Sequence, residues 1–385
     1  MKHNSNVFHQ LLKAIPRHQF QKVVDRHNGD HRIRKLPCWT QLVAMMFVQL
    51  ASRVSLRDLV ENFNANHNHH YHLGVSQIKR SSLSDANNHR PASIFAETFF
   101  FLLQKVRNHL PRGAASDMVR LIDSTTIDLN LNQFEWAHFR KTKGGIKLHT
   151  VYDPNADTPT FFELTTAKVN DRKAAQNLPI MAGVTYVFDR AYNDYGWYYE
   201  MTCQSTLFVG RMKSSAVYEV IESRETCEEF ILEDQIVRLS SDKARKDCPT
   251  NLRRVKIRRE EDDKVLTFIS NDLTRTAAEI ADLYKSRWQI ELFFKWIKQN
   301  LKIKKFIGRS ENAVKVQVLT AMIAYLLLRF VQLNYPGKVS LQQIARKVNL
   351  NMMTRRSIID LLSDPPERKV AVIAHLQHIL ELGNA

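Results

Sequence analysis

Cysteine is scarce in this chain: four residues in 385, Cys38, Cys203, Cys227 and Cys248, with no Cys-x-x-Cys pair among them. That spacing excludes a zinc ribbon and a disulfide framework, and the four read as reduced thiols. No run of 18 or more apolar residues occurs, and the apolar stretches Met45–Leu50 and Leu319–Val331 are too short or too interrupted to span a bilayer. The opening Met-Lys-His-Asn-Ser-Asn has no apolar h-region, so no secretory signal is expected. Internal repeats and low-complexity tracts are missing too. Acids are outnumbered, with 39 Asp and Glu against 56 Lys and Arg, a formal charge of +17. The surplus is spread along the chain, and such a field favours a polyanionic partner, nucleic acid before a membrane surface.

What is present divides by texture. Residues 1–115 read as short helices: 7–15 and 19–26 on either side of Pro16, 39–51 opened by Pro37, and 92–106. Ser55-Leu-Arg-Asp58 has the form of a capping box, and Ser82-Leu-Ser-Asp85 repeats it. Such a bundle suits a small DNA-binding domain and an ordinary helical domain about equally, with no assured helix-turn-helix. His67-Asn-His69-His70-Tyr-His72 invites a metal reading, but neighbouring histidines without cysteine read better as a polar loop.

From Val119 the chain turns to strands at 119–129, 146–153 and 160–167. A helix that Asp171 caps comes next, then a strand from Val184, a helix at 195–203 and a strand at 206–210. This order predicts a mixed α/β sheet in which hairpin strands precede crossovers. Between 213 and 271, four short alternating stretches predict a β-rich insertion. Its Arg253-Arg254-Val-Lys256 run forms a basic edge: a solvated strand face, or one lying on a phosphate backbone. Beyond lie the basic segment with Lys302, Lys304 and Lys305, an apolar helix at 311–332 and a helical remainder through Pro365-Pro366 to Ala385.

Three acids stand out. Asp123 falls in the middle of the first core strand and Asp189 at the end of the fourth, and a carboxylate inside a central strand is costly unless paired or metal-bound. Asp128, Asp153, Asp171 and Asp194 read as loop or cap residues. The third acid, Glu291, belongs to a stretch from Thr274 to Lys298 without Gly or Pro, which reads as one helix ending at Gly308. At about 100° per residue, Tyr284, Arg287, Glu291 and Lys298 fall within an arc of roughly 60°. One face thus carries a candidate metal ligand and three donors suited to phosphate oxygens. A solvated helix with i,i+4 ion pairs would present the same residues.

Taken together, strand acid, strand-end acid and the Tyr-x2-Arg-x3-Glu-x6-Lys helix resemble the bacterial insertion-sequence transposases of the DDE class, IS-four family, over about residues 115–335. The resemblance implies a ribonuclease-H-like catalytic core (116–335, insertion about 213–271), an all-helical DNA-binding domain before it (1–115) and a helical C-terminal segment (336–385). It implies Asp123, Asp189 and Glu291 as the ligands of two Mg2+ ions, with Mn2+ substituting, and Tyr284, Arg287 and Lys298 as phosphate contacts. Arg253, Arg254, Lys256, Lys302, Lys304 and Lys305 are further candidate DNA contacts. The implied activity is binding of terminal inverted repeats, metal-dependent cleavage and strand transfer on double-stranded DNA by a homodimer at the bacterial nucleoid, in the cytoplasm and away from membranes. Where the family commonly has Gly, Ala191 precedes Tyr192. The insertion also lacks Trp, so a hairpin step that needs an aromatic for a flipped base would fall to Tyr218, Phe230 or Phe268. The rivals are a non-catalytic DNA-binding regulator, which would be expected to have lost an acid, and a junction resolvase, which would lack the long insertion.

Overall fold

The computed structural model describes residues 5–51, 55–110, 118–140 and 143–363, so the expected helix beyond Pro365 lies outside the described residues. Seven described helices open the chain: α1 (Val7–Leu12), α2 (Arg17–Arg26), α3 (Cys38–Leu50), α4 (Leu56–Ala65), α5 (His70–Leu73), α6 (Arg80–His89) and α7 (Ser93–Arg107). Ser55 caps α4 as its pattern predicts, its side chain accepting from the Asp58 N–H. Ser82-Leu-Ser-Asp85 opens nothing: it lies inside α6, where Leu83 faces the core.

The strands follow as β1 (Met118–Leu129), β2 (His138–Arg140), β3 (Lys143–Asp153) and β4 (Thr158–Thr166). After α8 (Asp171–Ala175), β5 (Val184–Phe188), α9 (Tyr195–Cys203) and β6 (Leu207–Arg211) come β7 (Tyr218–Arg224), β8 (Ile231–Leu239), α10 (Asp242–Asp247), β9 (Leu252–Arg258) and β10 (Val265–Ser270). The chain then runs through α11 (Ala277–Ser286), α12 (Trp288–Asn300), α13 (Glu311–Asn334), α14 (Leu341–Asn351) and α15 (Ile358–Leu362).

All ten described strands share one sheet, ordered β2-β3-β1-β5-β6-β10-β9-β8-β7 with β4 on β3. The stretch read as an insertion is therefore not a separate body. Antiparallel pairing of Phe268–Ser270 with Val209–Arg211 continues the sheet through β10 into β9, β8 and β7. β1, β3 and β4 are antiparallel, whereas β1, β5 and β6 are parallel.

Alternation of side chains along β1 gives each face its own core. Leu121, Ile127 and Leu129 face α12 and α13, whereas Ile122 faces Phe188, Tyr198 and Phe208 beneath α9. The first of these cores continues without a break into the N-terminal helices, reaching from Val7 to Leu362. Its axis is α13, which packs on α7, α3 and α6. By length and composition this 24-residue helix could cross a bilayer, but 78% of its most apolar stretch is buried inside the protein. α3 is also buried all round, as expected of a helix in the interior.

Two helix boundaries differ from expectation. The predicted single helix over 274–298 is two, α11 and α12, meeting at Arg287. There Ser286 Oγ donates to the Leu283 carbonyl, and Arg287 N–H bonds the i−3 carbonyl of Tyr284. Its end is at Asn300 rather than Gly308, because Leu301 turns extended and tucks into the core. The irregular segment that follows is held by Gln317 of α13, whose amide donates to the Lys302 and Lys305 carbonyls and accepts from Ile307 N–H.

Candidate active site

Register alone puts two acids side by side. β1 and β5 pair in parallel with Leu121 opposite Val187 and Ile122 opposite Phe188, so the next position brings Asp123 beside Asp189. Both follow the alternation onto the face that Leu121 and Val187 share, the face covered by α12. Asp189 leaves the strand there and caps a short turn, accepting from Arg190 N–H at 2.7 Å.

The helix pair brings the rest. Tyr284 Oη donates to Asp189 Oδ1 at 3.4 Å, and its ring lies 4.5 Å from that of Phe268. Arg287, at the junction, reaches Asp123 Oδ2 at 3.3 Å and Glu291 Oε1 at 2.6 Å, so one guanidinium links strand and helix. Its plane also sits 5.6 Å from the Tyr284 ring. Lys298, two turns on from Glu291, donates to the Thr126 carbonyl of β1 at 2.8 Å.

The electrostatics follow from this crowding. Burial first, and then the nearby charges of Glu291 and Asp189, push the Asp123 carboxyl up to about 6, against the lowering effect of Arg287 and the Ser124 N–H. Burial and the neighbouring Lys304 lower Lys298. The site thus holds three carboxylates and one shared guanidinium, with a cluster of ammonium groups at its far end.

Hard oxygen donors are what Mg2+ and Mn2+ require, and an under-neutralised Asp123 is the environment a divalent cation would relieve. In this arrangement, among the described residues, no three carboxylate, imidazole or thiol side chains converge on a single ion position. Arg287 lies between Asp123 and Glu291, so holding an ion there requires its guanidinium to turn aside.

The other predicted basic residues divide. Lys304 and Lys305 are exposed on the segment after α12, with Lys302 half-buried beside them. The β9 cations are not on an edge, since β9 runs between β10 and β8. Arg253 is 2% exposed and forks onto Asp234 at 2.7 and 2.8 Å. Arg254 is buried against Glu233, Gln235 and the Tyr218 ring, and Lys256 pairs with Glu233 at 2.6 Å. The acids of β8 use up this run, so it does not form the basic edge its sequence suggests. Phe268 is buried under Tyr284 and has no free face for a base.

A family profile described as the Transposase DDE domain matches residues 114–327. The chain belongs to the DDE transposases. A second profile, described as a domain of unknown function, matches residues 3–76. A transposase of Sinorhizobium fredii, y4zB, is 42% identical over 252 residues, covering 64% of this chain and 70% of its own. A transposase named for insertion sequence element IS5377 of Geobacillus stearothermophilus is 29% identical over 261 residues, covering 67% and 68%. A piggyBac transposase synaptic complex with hairpin DNA covers 97% of this chain and 82% of its own at a TM-score of 0.43 and 10% identity, too slight a likeness to bear on the site.

Next to the candidate site lie groups that sequence reasoning passed over. Asp171, read as a helix cap, is not one: Asn170 caps α8 by accepting from Arg172 N–H. Asp171 turns instead toward β1 and β3, accepting from Ser124 Oγ at 2.6 Å and from Lys147 Nζ at 3.0 Å. The one available signal was the pairing of two β-hairpin strands, which puts Ser124 opposite His149; it cannot be read before the register is known.

Proposed function

We propose that this insertion-sequence transposase binds the terminal inverted repeats of its element and cuts and joins DNA with Asp123, Asp189 and Glu291 as its metal-binding triad. The observation that carries the reading is the β1–β5 register, which sets Asp123 beside Asp189, together with the Arg287 link from Asp123 to Glu291. The antiparallel β4-β3-β1 followed by parallel β5 and β6 supports the ribonuclease-H-like reading of residues 116–335. The helices described within 1–115 are then a DNA-binding part, and those described within 336–363 a C-terminal part, built onto the same core.

Bound at the three carboxylates, two divalent cations would supply Lewis acidity to an in-line displacement at phosphorus. The chain's own groups do the rest. Tyr284 and Arg287 stand at the acids as donors for the non-bridging oxygens of the scissile phosphate. Lys298, with Lys302, Lys304 and Lys305 beyond it, tracks the neighbouring phosphates. Arg287 has a second task. While it pairs Asp123 with Glu291 it keeps like charges from meeting, and a phosphate arriving at the site competes for the same fork. Processing two element ends in one complex calls for a homodimer.

The test is cleavage of a labelled duplex carrying the element's end, in Mg2+ or Mn2+, by wild type and Glu291→Gln. The variant keeps size and loses charge, so it is expected to bind and not to cut. Equal cutting by both removes Glu291 from the triad, and binding without cutting by both makes the chain a DNA-binding regulator.

A further inference from the structure

Behind the two strand acids, on the opposite face of the sheet, lies a second polar cluster. Ser124 follows Asp123 and points the other way, where its hydroxyl donates to Asp171 Oδ1. Lys147 of β3 places its ammonium 3.0 Å from the same carboxylate, and His149, fully buried, lies 3.5 Å away while its Nε2 meets Thr165. Burial pushes His149 down to about 4, so Lys147 is the cation that balances Asp171. Tyr192, three residues after Asp189, completes the cluster. Its buried hydroxyl lies next to Ser124, short of a well-formed hydrogen bond.

We propose that Asp171 is a positioning residue that, through Ser124, Lys147 and Tyr192, fixes from behind the sheet the two strand ends that carry Asp123 and Asp189. The proposal rests on the triad reading above. Its warrant is connectivity. Asp171 grips the residue adjacent to one acid, while α8 packs on the turn that carries Arg190–Tyr192 after the other. Arg172 also ion-pairs with Asp194, tying the same helix to the chain beyond that turn. The Tyr192 hydroxyl beside Ser124 thus joins the turn after Asp189 to the strand residue after Asp123. Asp171 itself would not reach ions held by the three acids, because β1 lies between.

Partners that orient metal ligands in this way typically change metal affinity or activity about 10–100-fold when removed. The experiment compares wild type, Asp171→Asn and Tyr192→Phe. It measures free Mn2+ by electron paramagnetic resonance and single-turnover cleavage at saturating end DNA. Asp171→Asn is expected to weaken Mn2+ binding and slow cleavage, each by about 10–100-fold, with DNA affinity unchanged. Tyr192→Phe keeps the ring and loses only the hydroxyl, so it remains folded and is expected to move both quantities the same way by less. If both variants bind Mn2+ like wild type, the proposal is overturned whatever their cleavage rates. If Asp171→Asn does not fold, Tyr192→Phe decides alone. A wild type that neither binds Mn2+ nor cuts overturns the triad reading first and this proposal with it.

Discussion

Arg287 Nη1 lies 3.3 Å from Asp123 Oδ2, across 164 positions of sequence, and the same guanidinium donates to Glu291 at 2.6 Å. One cation therefore serves two acids from two different elements. Arg287→Ala leaves those carboxylates facing each other, and Arg287→Lys restores the charge without the fork that holds both. Both variants are expected to lose about 10²–10³ in cleavage rate, the scale for removing one preorganised donor from a reacting group. Single-turnover assays at saturating DNA check this. Full activity in the lysine variant would show that charge alone suffices.

The raised Asp123 carboxyl makes stability depend on pH in a fixed sense. Between its ordinary value near 3.8 and about 6, the folded chain keeps a proton that the unfolded chain has lost. Stability contributed by this group is therefore full below about pH 4 and lost as pH rises through 6. At 1.36 kcal/mol per unit the ceiling is about 3 kcal/mol, reduced in Asp123→Asn by the weaker hold on Arg287. The variant is expected to match wild type at pH 4 and to melt higher at pH 7.5. Saturating Mn2+ should narrow that gap by stabilising wild type alone. A wild type whose melting point does not fall between pH 4 and 6.5, relative to the variant, would count against the assignment.

Arg253 and Asp234 form a buried fork with 2% and 6% of their side chains exposed. Removing one partner strands the other, which typically costs about 3–5 kcal/mol. Arg253→Ala is expected to lower stability by that order in urea titrations while leaving the salt dependence of DNA binding unchanged. A shallower salt slope in a folded Arg253→Ala protein would return this residue to the DNA-facing set.

Lys304 and Lys305 are exposed and project from a segment held at its backbone by Gln317. Removing a cation that neutralises one phosphate reduces the slope of log K against log salt by about 0.9 on duplex DNA. Lys304→Ala with Lys305→Ala is therefore expected to flatten the slope by nearly two units without changing which sequence is preferred. An unchanged slope in the double variant would remove both lysines from the DNA path.

Local patterns were the legible part. Ser55 caps where its motif says, the 195–203 helix matches residue for residue, and the positions of Asp123 and Asp189 in their strands are plain from apolar texture. What depended on distant pairing was not. Nothing near Phe268 says that it will pair with Arg211 and carry four more strands onto the central sheet. Arg253 reads as a surface cation until β8 supplies Asp234 beside it. Asp171 reads as a cap because Asn170, one residue earlier, serves equally well, and only the folded sheet shows which of the two is free. The break at Arg287 is a matter of two hydrogen bonds that no spacing rule contains.

The unbroken core around α13 has a consequence in time. Asn6 and Met353 meet across 347 positions, and Val7 N–H bonds the Thr354 carbonyl. At about 5–20 residues per second of synthesis, the first helix waits roughly 17–70 s for the segment it docks on. Until then only part of its apolar face, Phe8 against Phe47 of α3, has its permanent cover. The N-terminal helices can thus form early, yet they reach their final seat only when nearly all of the chain has emerged.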